Sequence, residues 1–216
     1  MTIESDPIIN YLEQYKTIYG KNIYLEDSES IKKSNLDKYF NLIKDCLKCK
    51  LGESRNKFVF GVGNPNSKIV FIGEAPGKNE DLKGEPFVGR AGNLLDKILK
   101  AISLSRSDVY ICNILKCRPP KNRDPLPEEV TECEPFLKEQ LSIIQPNLIV
   151  ALGKIAANTI LNNNEQLGAM RNKIHSYQGI DLIATYHPAA LLRNPSLKIN
   201  AWEDFQMIRD KYLINN

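Results

Sequence analysis

Long apolar runs are missing from this sequence of 216 residues. No stretch approaches the roughly 20 consecutive apolar residues that crossing a bilayer requires. The N-terminus carries Glu4 and Asp6 where a secretory signal needs positive charge and then an apolar segment. We therefore expect no membrane association and a cytoplasmic location. An excess of one charge is also missing: 29 Lys and Arg oppose 26 Asp and Glu, giving a net charge of +3. That excludes a histone-like coat and leaves room for a local basic patch. Repeats and low-complexity tracts are absent, and a chain with 42% hydrophobic and 25% charged residues is composed like a folded globular protein. Cysteine is sparse, five in all. The odd count disfavours a disulfide framework, and in a reducing compartment it points to a metal site or buried thiols.

The pattern along the chain divides it. Ile8, Ile9, Leu12, Tyr15 and Tyr19 form one stripe at helical spacing and Leu36, Tyr39, Phe40 and Ile43 another, with a polar link expected over residues 20–34. Residues 1–35 thus read as a helical extension and residues 36–216 as one domain. Within it, four short, continuous apolar runs at 69–72, 109–114, 148–152 and 182–186 read as buried strands. Helical periods at 92–102, 127–144 and 154–161 alternate with them, and a closing helix is expected over 195–213. Alternation of this kind predicts a three-layer α/β/α fold around a small, about four-stranded, mainly parallel sheet. A ligand then belongs beyond the carboxyl ends of the strands, where Glu74, Asn113, Gly153 with Lys154, and His187 fall.

Four groups of residues there carry chemistry. Cys46 and Cys49 form a C-x2-C that closes a tight turn, and Cys117 and Cys133 can complete a four-thiolate set. The spacing leaves zinc and an iron–sulfur cluster both open, while Cys112 sits among strand residues and reads as core. The segment Gly73-Glu74-Ala75-Pro76-Gly77 matches neither nucleotide-binding glycine motif, and the acids at 74, 80 and 81 would repel a phosphate. His187-Pro188 at a strand end suits donation into a pocket, and Leu191, Leu192 and Arg193 make an apolar and cationic tip. Lys116, Arg118, Lys121 and Arg123 crowd one proline-broken loop, a candidate phosphate-backbone contact.

Gly73 to Gly77, the Pro86-Phe87-Val88-Gly89-Arg90-Ala91-Gly92 segment, Asn113 to Pro120, the four cysteines and His187-Pro188 together resemble the family 4, iron–sulfur uracil-DNA glycosylases, over residues 36–208. The resemblance implies a uracil-DNA glycosylase-like fold and base-excision repair of DNA. It places a structural 4Fe-4S cluster on Cys46, Cys49, Cys117 and Cys133. It puts the backbone of Glu74, Ala75 and Pro76 against uracil, Glu80 near uracil C5, and Phe87 as the stacking platform. Asn113 becomes the base-reading amide and His187 the group facing uracil O2. The wider superfamily often has aspartate at the position of Ala75; its absence here assigns water positioning to Glu74. The implied substrate is uracil-containing DNA, single- or double-stranded, acted on by a monomer, with a sliding clamp or other repair proteins as candidate partners. Other readings are a non-catalytic iron–sulfur DNA-binding module and a glycosylase that also accepts hypoxanthine, xanthine or mismatched thymine.

Overall fold

The computed structural model describes residues 28–214; the stripe read over residues 8–19 lies outside them. The polar link expected up to residue 34 ends earlier, because helix α1 spans Ser28–Ile43. Its stripe packs as expected, with Leu36 and Ile43 buried and Tyr39 and Phe40 against the same core. A single turn, α2 (Leu51–Ser54), follows.

Six strands form one sheet in the order β1-β3-β2-β4-β6-β5. The four expected runs are its centre: β2 (Ile69–Gly73), β3 (Tyr110–Asn113), β4 (Leu148–Leu152) and β6 (Ile180–Thr185), all parallel to their neighbours in that core. The expectation of about four strands falls short by two edge strands, β1 (Val62–Gly63) and β5 (His175–Tyr177), both antiparallel. Neither bears the apolar run by which a buried strand is read, since each is short and part-exposed. β5 joins β6 through a tight hairpin with Gln178 and Gly179 both at positive φ, 51° and 81°, the two-residue turn that matches strand twist.

Alternate side chains of the central strands feed two separate cores, as a sheet covered on both faces requires. Val70, Ile72, Cys112, Ile149, Ala151 and Leu182 face one layer, with α1, α5 (Pro127–Ile144) and α6 (Lys154–Leu161). Phe71, Ile111, Val150 and Ile183 face the other, with α4 (Arg90–Ala101) and α9 (Lys198–Arg209). Cys112 is thus a core thiol, 1% exposed. The closing helix expected over 195–213 is broken into a 3-10 turn, α9 and a final π turn at Asp210–Ile214. Three short helices complete the fold: α3 (Lys78–Lys83), α7 (Leu167–Met170) and α8 (Pro188–Arg193). Among the described residues no helix is long and apolar enough to cross a membrane.

Candidate active site at the strand ends

A cavity of about 820 Å³ opens beyond the carboxyl ends of the parallel strands, and Glu74, Ala75, Pro76, Glu80, Phe87, Asn113 and His187 all line it. The strand ends that deliver them are packed without slack. A Cβ on Gly73 would collide with Asn113 Oδ1 and come within 2.7 Å of the Phe87 ring, and one on Gly153 would stand 3.1 Å from His187 Cβ. Glycine at both positions lets the pocket walls close around a flat ligand.

Phe87 holds a left-handed backbone, φ 53°, a conformation that costs of order 1–3 kcal/mol for a bulky residue and persists only when its surroundings impose it. They do so here. Glu80 Oε1 accepts from the Val88 and Gly89 amides at 2.9 and 3.0 Å, and the Arg106 guanidinium donates to the carbonyls of Pro86 and Phe87. The ring so placed stacks on His187, centroids 5.4 Å apart and planes inclined by 29°. Glu80 is therefore both a wall of the pocket and the strut that sets Phe87.

His187 caps α8, its Nδ1 accepting from the Ala189 amide at 3.1 Å. With Nδ1 occupied as acceptor, the ring proton sits on Nε2, the nitrogen free to donate. Burial first, then the Arg193 guanidinium, push this imidazole down to about 4 against the opposing pull of Glu80. At neutral pH His187 is an uncharged donor. Asn113 is 2% exposed, and among the described residues nothing hydrogen-bonds to its side-chain amide, leaving donor and acceptor available to a ligand. Burial, and secondarily the Asp124 carboxylate, push Glu74 up to about 7. Asp124, also on the cavity wall, was not among the residues read from sequence; a lone acid in a polar loop carries no pattern.

Two sequence expectations about DNA contact do not hold. Lys116 is fully buried, its Nζ donating to the Asn113 carbonyl at 2.7 Å and to Gln140 Oε1 at 2.5 Å. It is an internal strut beneath the end of β3 and touches no solvent. Leu191 is 1% exposed, while Leu192 is 37% exposed: the turn of α8 points one leucine into the core and its neighbour outward. Arg123 lies on the cavity wall but clamps the near-buried Glu129 through two hydrogen bonds of 2.9 and 2.6 Å, tying its loop to α5. Arg118, whose Nε donates to Asn122 Oδ1 at 2.7 Å, the exposed Lys121 and the exposed Arg193 remain as surface cations. Leu191→Ala is expected to lower unfolding stability by about 2–5 kcal/mol. Leu192→Ala is expected to stay within about 0.5 kcal/mol. Chemical denaturation of the two variants checks both.

The sulfur set is distinct from this cavity. Cys46, Cys49, Cys117 and Cys133 line one small pocket walled by Leu51, Phe58, Leu115 and Phe136. Three N–H groups point at its sulfurs: Lys48 N to Cys46 at 3.5 Å, Lys116 N to Cys133 at 3.3 Å and Arg55 Nη1 to Cys117 at 3.5 Å. Arg55, missed in the sequence, also donates to the carbonyls of Cys46 and Lys44. Burial pushes the Cys117 and Cys133 thiols up to about 11 and 12, so neither is a nucleophile at neutral pH. Four thiols, apolar walls and N–H donors to sulfur are what an iron–sulfur cluster needs. Among the described residues, no three His, Cys, Asp or Glu are gathered to hold a single ion.

The parallel centre of the sheet thus presents a stacking ring, a free amide and a neutral histidine around one cavity, groups able to stack on and hydrogen-bond a flat ring. The model of the uracil DNA glycosylase superfamily matches residues 60–206. A type-4 uracil-DNA glycosylase of Archaeoglobus fulgidus is 47% identical over 182 residues, 81% of this chain and 92% of that one. One of Thermotoga maritima is 47% identical over 156 residues, covering 71% and 81%. A type-5 enzyme of Pyrobaculum aerophilum is 34% identical over 149 residues, 60% and 64%. The chain belongs to the uracil-DNA glycosylase superfamily and, within it, to the type-4 family.

Proposed function

We propose that this protein excises uracil from DNA by hydrolysing the N-glycosidic bond, leaving an abasic site. The observation that carries the reading is the convergence of Phe87, Asn113, His187 and Glu74 on one cavity at the strand ends. A base inside a duplex is out of reach of such a cavity, so the nucleotide is extruded at a cost of a few kcal/mol. The exposed Leu192, with Arg193 on the cavity wall, would fill the vacated stack. Phe87 underlies the base. Asn113 accepts from N3–H and donates to O4; cytosine presents the reverse pattern, and groups left unpaired cost roughly 1–3 kcal/mol each. Glu80, pinned by two backbone amides, is a rigid wall against the thymine methyl.

Cleavage leaves positive charge on the sugar and negative charge on uracil. His187 Nε2–H donates to O2 and stabilises that anion as an oxyanion hole would. Glu74 orients a water toward C1′ and takes its proton as the new C–O bond forms; the departing base keeps the bonding pair. Cys46, Cys49, Cys117 and Cys133 would hold a 4Fe-4S cluster, which supplies a cross-link between distant segments and no electron.

The base works only as carboxylate. With Glu74 at about 7, the rate of uracil release rises with pH through neutrality and levels above it. Asp124→Asn removes the second cause of that shift and is expected to move the acidic limb to lower pH. Single-turnover uracil release between pH 5 and 9 checks this, and an unmoved limb in the variant contradicts the role given to Asp124.

A further inference from the structure

The groups that handle the flipped base account for only part of the cavity wall. At about 820 Å³ the cavity has the dimensions of pockets that enclose much larger ligands than one pyrimidine. Part of the remaining wall comes from α6 and the loop after it, with Ile155, Asn158, Thr159 and Asn164, and from Tyr186. None of these takes part in the excision step.

Tyr186 is the best-supported surface there. The Arg171 guanidinium lies 4.8 Å from its ring centroid. Arg171 is 7% exposed and is held in place, its Nε and Nη2 donating to the fully buried Asp204 carboxylate at 2.7 and 3.0 Å and Nη2 also to the Asn200 carbonyl. Asp204 takes a third hydrogen bond, 2.6 Å, from the hydroxyl of Thr185, the residue before Tyr186. The ring is thus held by a cation against it and along the chain by its neighbour. A buried ion pair is a poor source of stability, because desolvation of both charges offsets their attraction; here it supplies a rigid position. On the same cavity wall, Asn158 donates to the Glu165 carbonyl at 3.2 Å, and its Oδ1 has no partner. A held aromatic ring sharing a cavity wall with amides and a hydroxyl is the makeup of a site that stacks a nucleobase and tolerates its identity.

We propose that Tyr186, held by Arg171 and sharing the cavity wall with Asn158 and Asn164, is a stacking subsite for a nucleotide adjacent to the flipped uracil on the same strand. The proposal rests on the excision reading. It makes the enzyme's recognition unit a dinucleotide, and it gives single-stranded DNA a foothold that needs no duplex.

The test uses the full chain and single-stranded oligonucleotides with one uracil, in which the 5′ or the 3′ neighbour is replaced by an abasic spacer. In the native protein one of the two spacers is expected to lower kcat/KM by about 5- to 150-fold, the scale of one lost base–aromatic stack. Tyr186→Leu, which keeps apolar bulk without the ring, should shrink that spacer effect to below about twofold, and Tyr186→Phe should retain it. The effect is a ratio within one preparation, so a change in folded fraction cancels. Equal rates on all oligonucleotides for the native protein, or an undiminished spacer effect in Tyr186→Leu, overturn the subsite. Absence of uracil release from every oligonucleotide overturns the excision reading itself and the subsite with it.

Discussion

Replacing His187 with alanine is expected to lower kcat by about 10²–10³-fold, the usual loss on removing one donor from a preorganised anion site. The reason lies in how the ring is prepared. Nδ1 is taken by the Ala189 amide, Pro188 starts the helix immediately after, and Phe87 stacks against the ring, so a single donor on Nε2 faces the cavity with little left to reorganise. A group held down at about 4 is neutral throughout the working range. It must protonate to titrate, which happens only well below pH 5, so the native rate carries no histidine limb between pH 5 and 9. The limb expected in that range is that of Glu74. His187→Ala should therefore lower the whole pH profile while leaving its midpoint near 7, and a single-turnover profile of both proteins checks it. Disappearance of a limb near 6.5 in the variant would mean that a cationic imidazole carries the rate, against this account.

The second large effect concerns sulfur. Cys133→Ser removes one of four thiols from a pocket that joins the turn after α1 to the loop after β3 and to α5. A cross-link of that span acts mostly on the unfolded chain, as a disulfide closing a long loop does. The expected loss is on the order of 2–5 kcal/mol, with loss of bound iron and of the broad absorption near 400 nm. Cys112→Ser sits one strand residue from the active site yet lies in the core; it should cost stability without touching iron content. Iron analysis and thermal unfolding of the two variants separate the cases. Retention of full iron by Cys133→Ser would exclude it as a ligand.

The central strands were legible because each is a run of β-branched and aliphatic residues buried on both faces, as parallel strands must be. β1 and β5 were not, since a two-residue and a three-residue edge strand carry no period to detect. The site was legible where a residue type and a strand end coincide, as at Glu74, Asn113 and His187. Sequence failed where the same residue type serves opposite purposes. Lys116 reads as a surface cation in a run with Arg118, Lys121 and Arg123, yet it lies three residues past the end of β3 and its ammonium reaches the Asn113 carbonyl and Gln140. Leu191 and Leu192 are equivalent as letters and are distinguished only by the phase of a six-residue helix. Asp81 is a further example: an acid in a polar, glycine-flanked segment, it is buried, accepting from the Asn56 amide and side chain. Arg55 and Asp124 act through distances that no local pattern encodes.

The most direct test is product analysis on oligonucleotides that differ only in carrying deoxyuridine, deoxycytidine or thymidine at one position. Free uracil and an unbroken strand with an abasic site, from the deoxyuridine substrate alone, is the result this account predicts. No free base from deoxyuridine, or release of cytosine or thymine at a comparable rate, contradicts it.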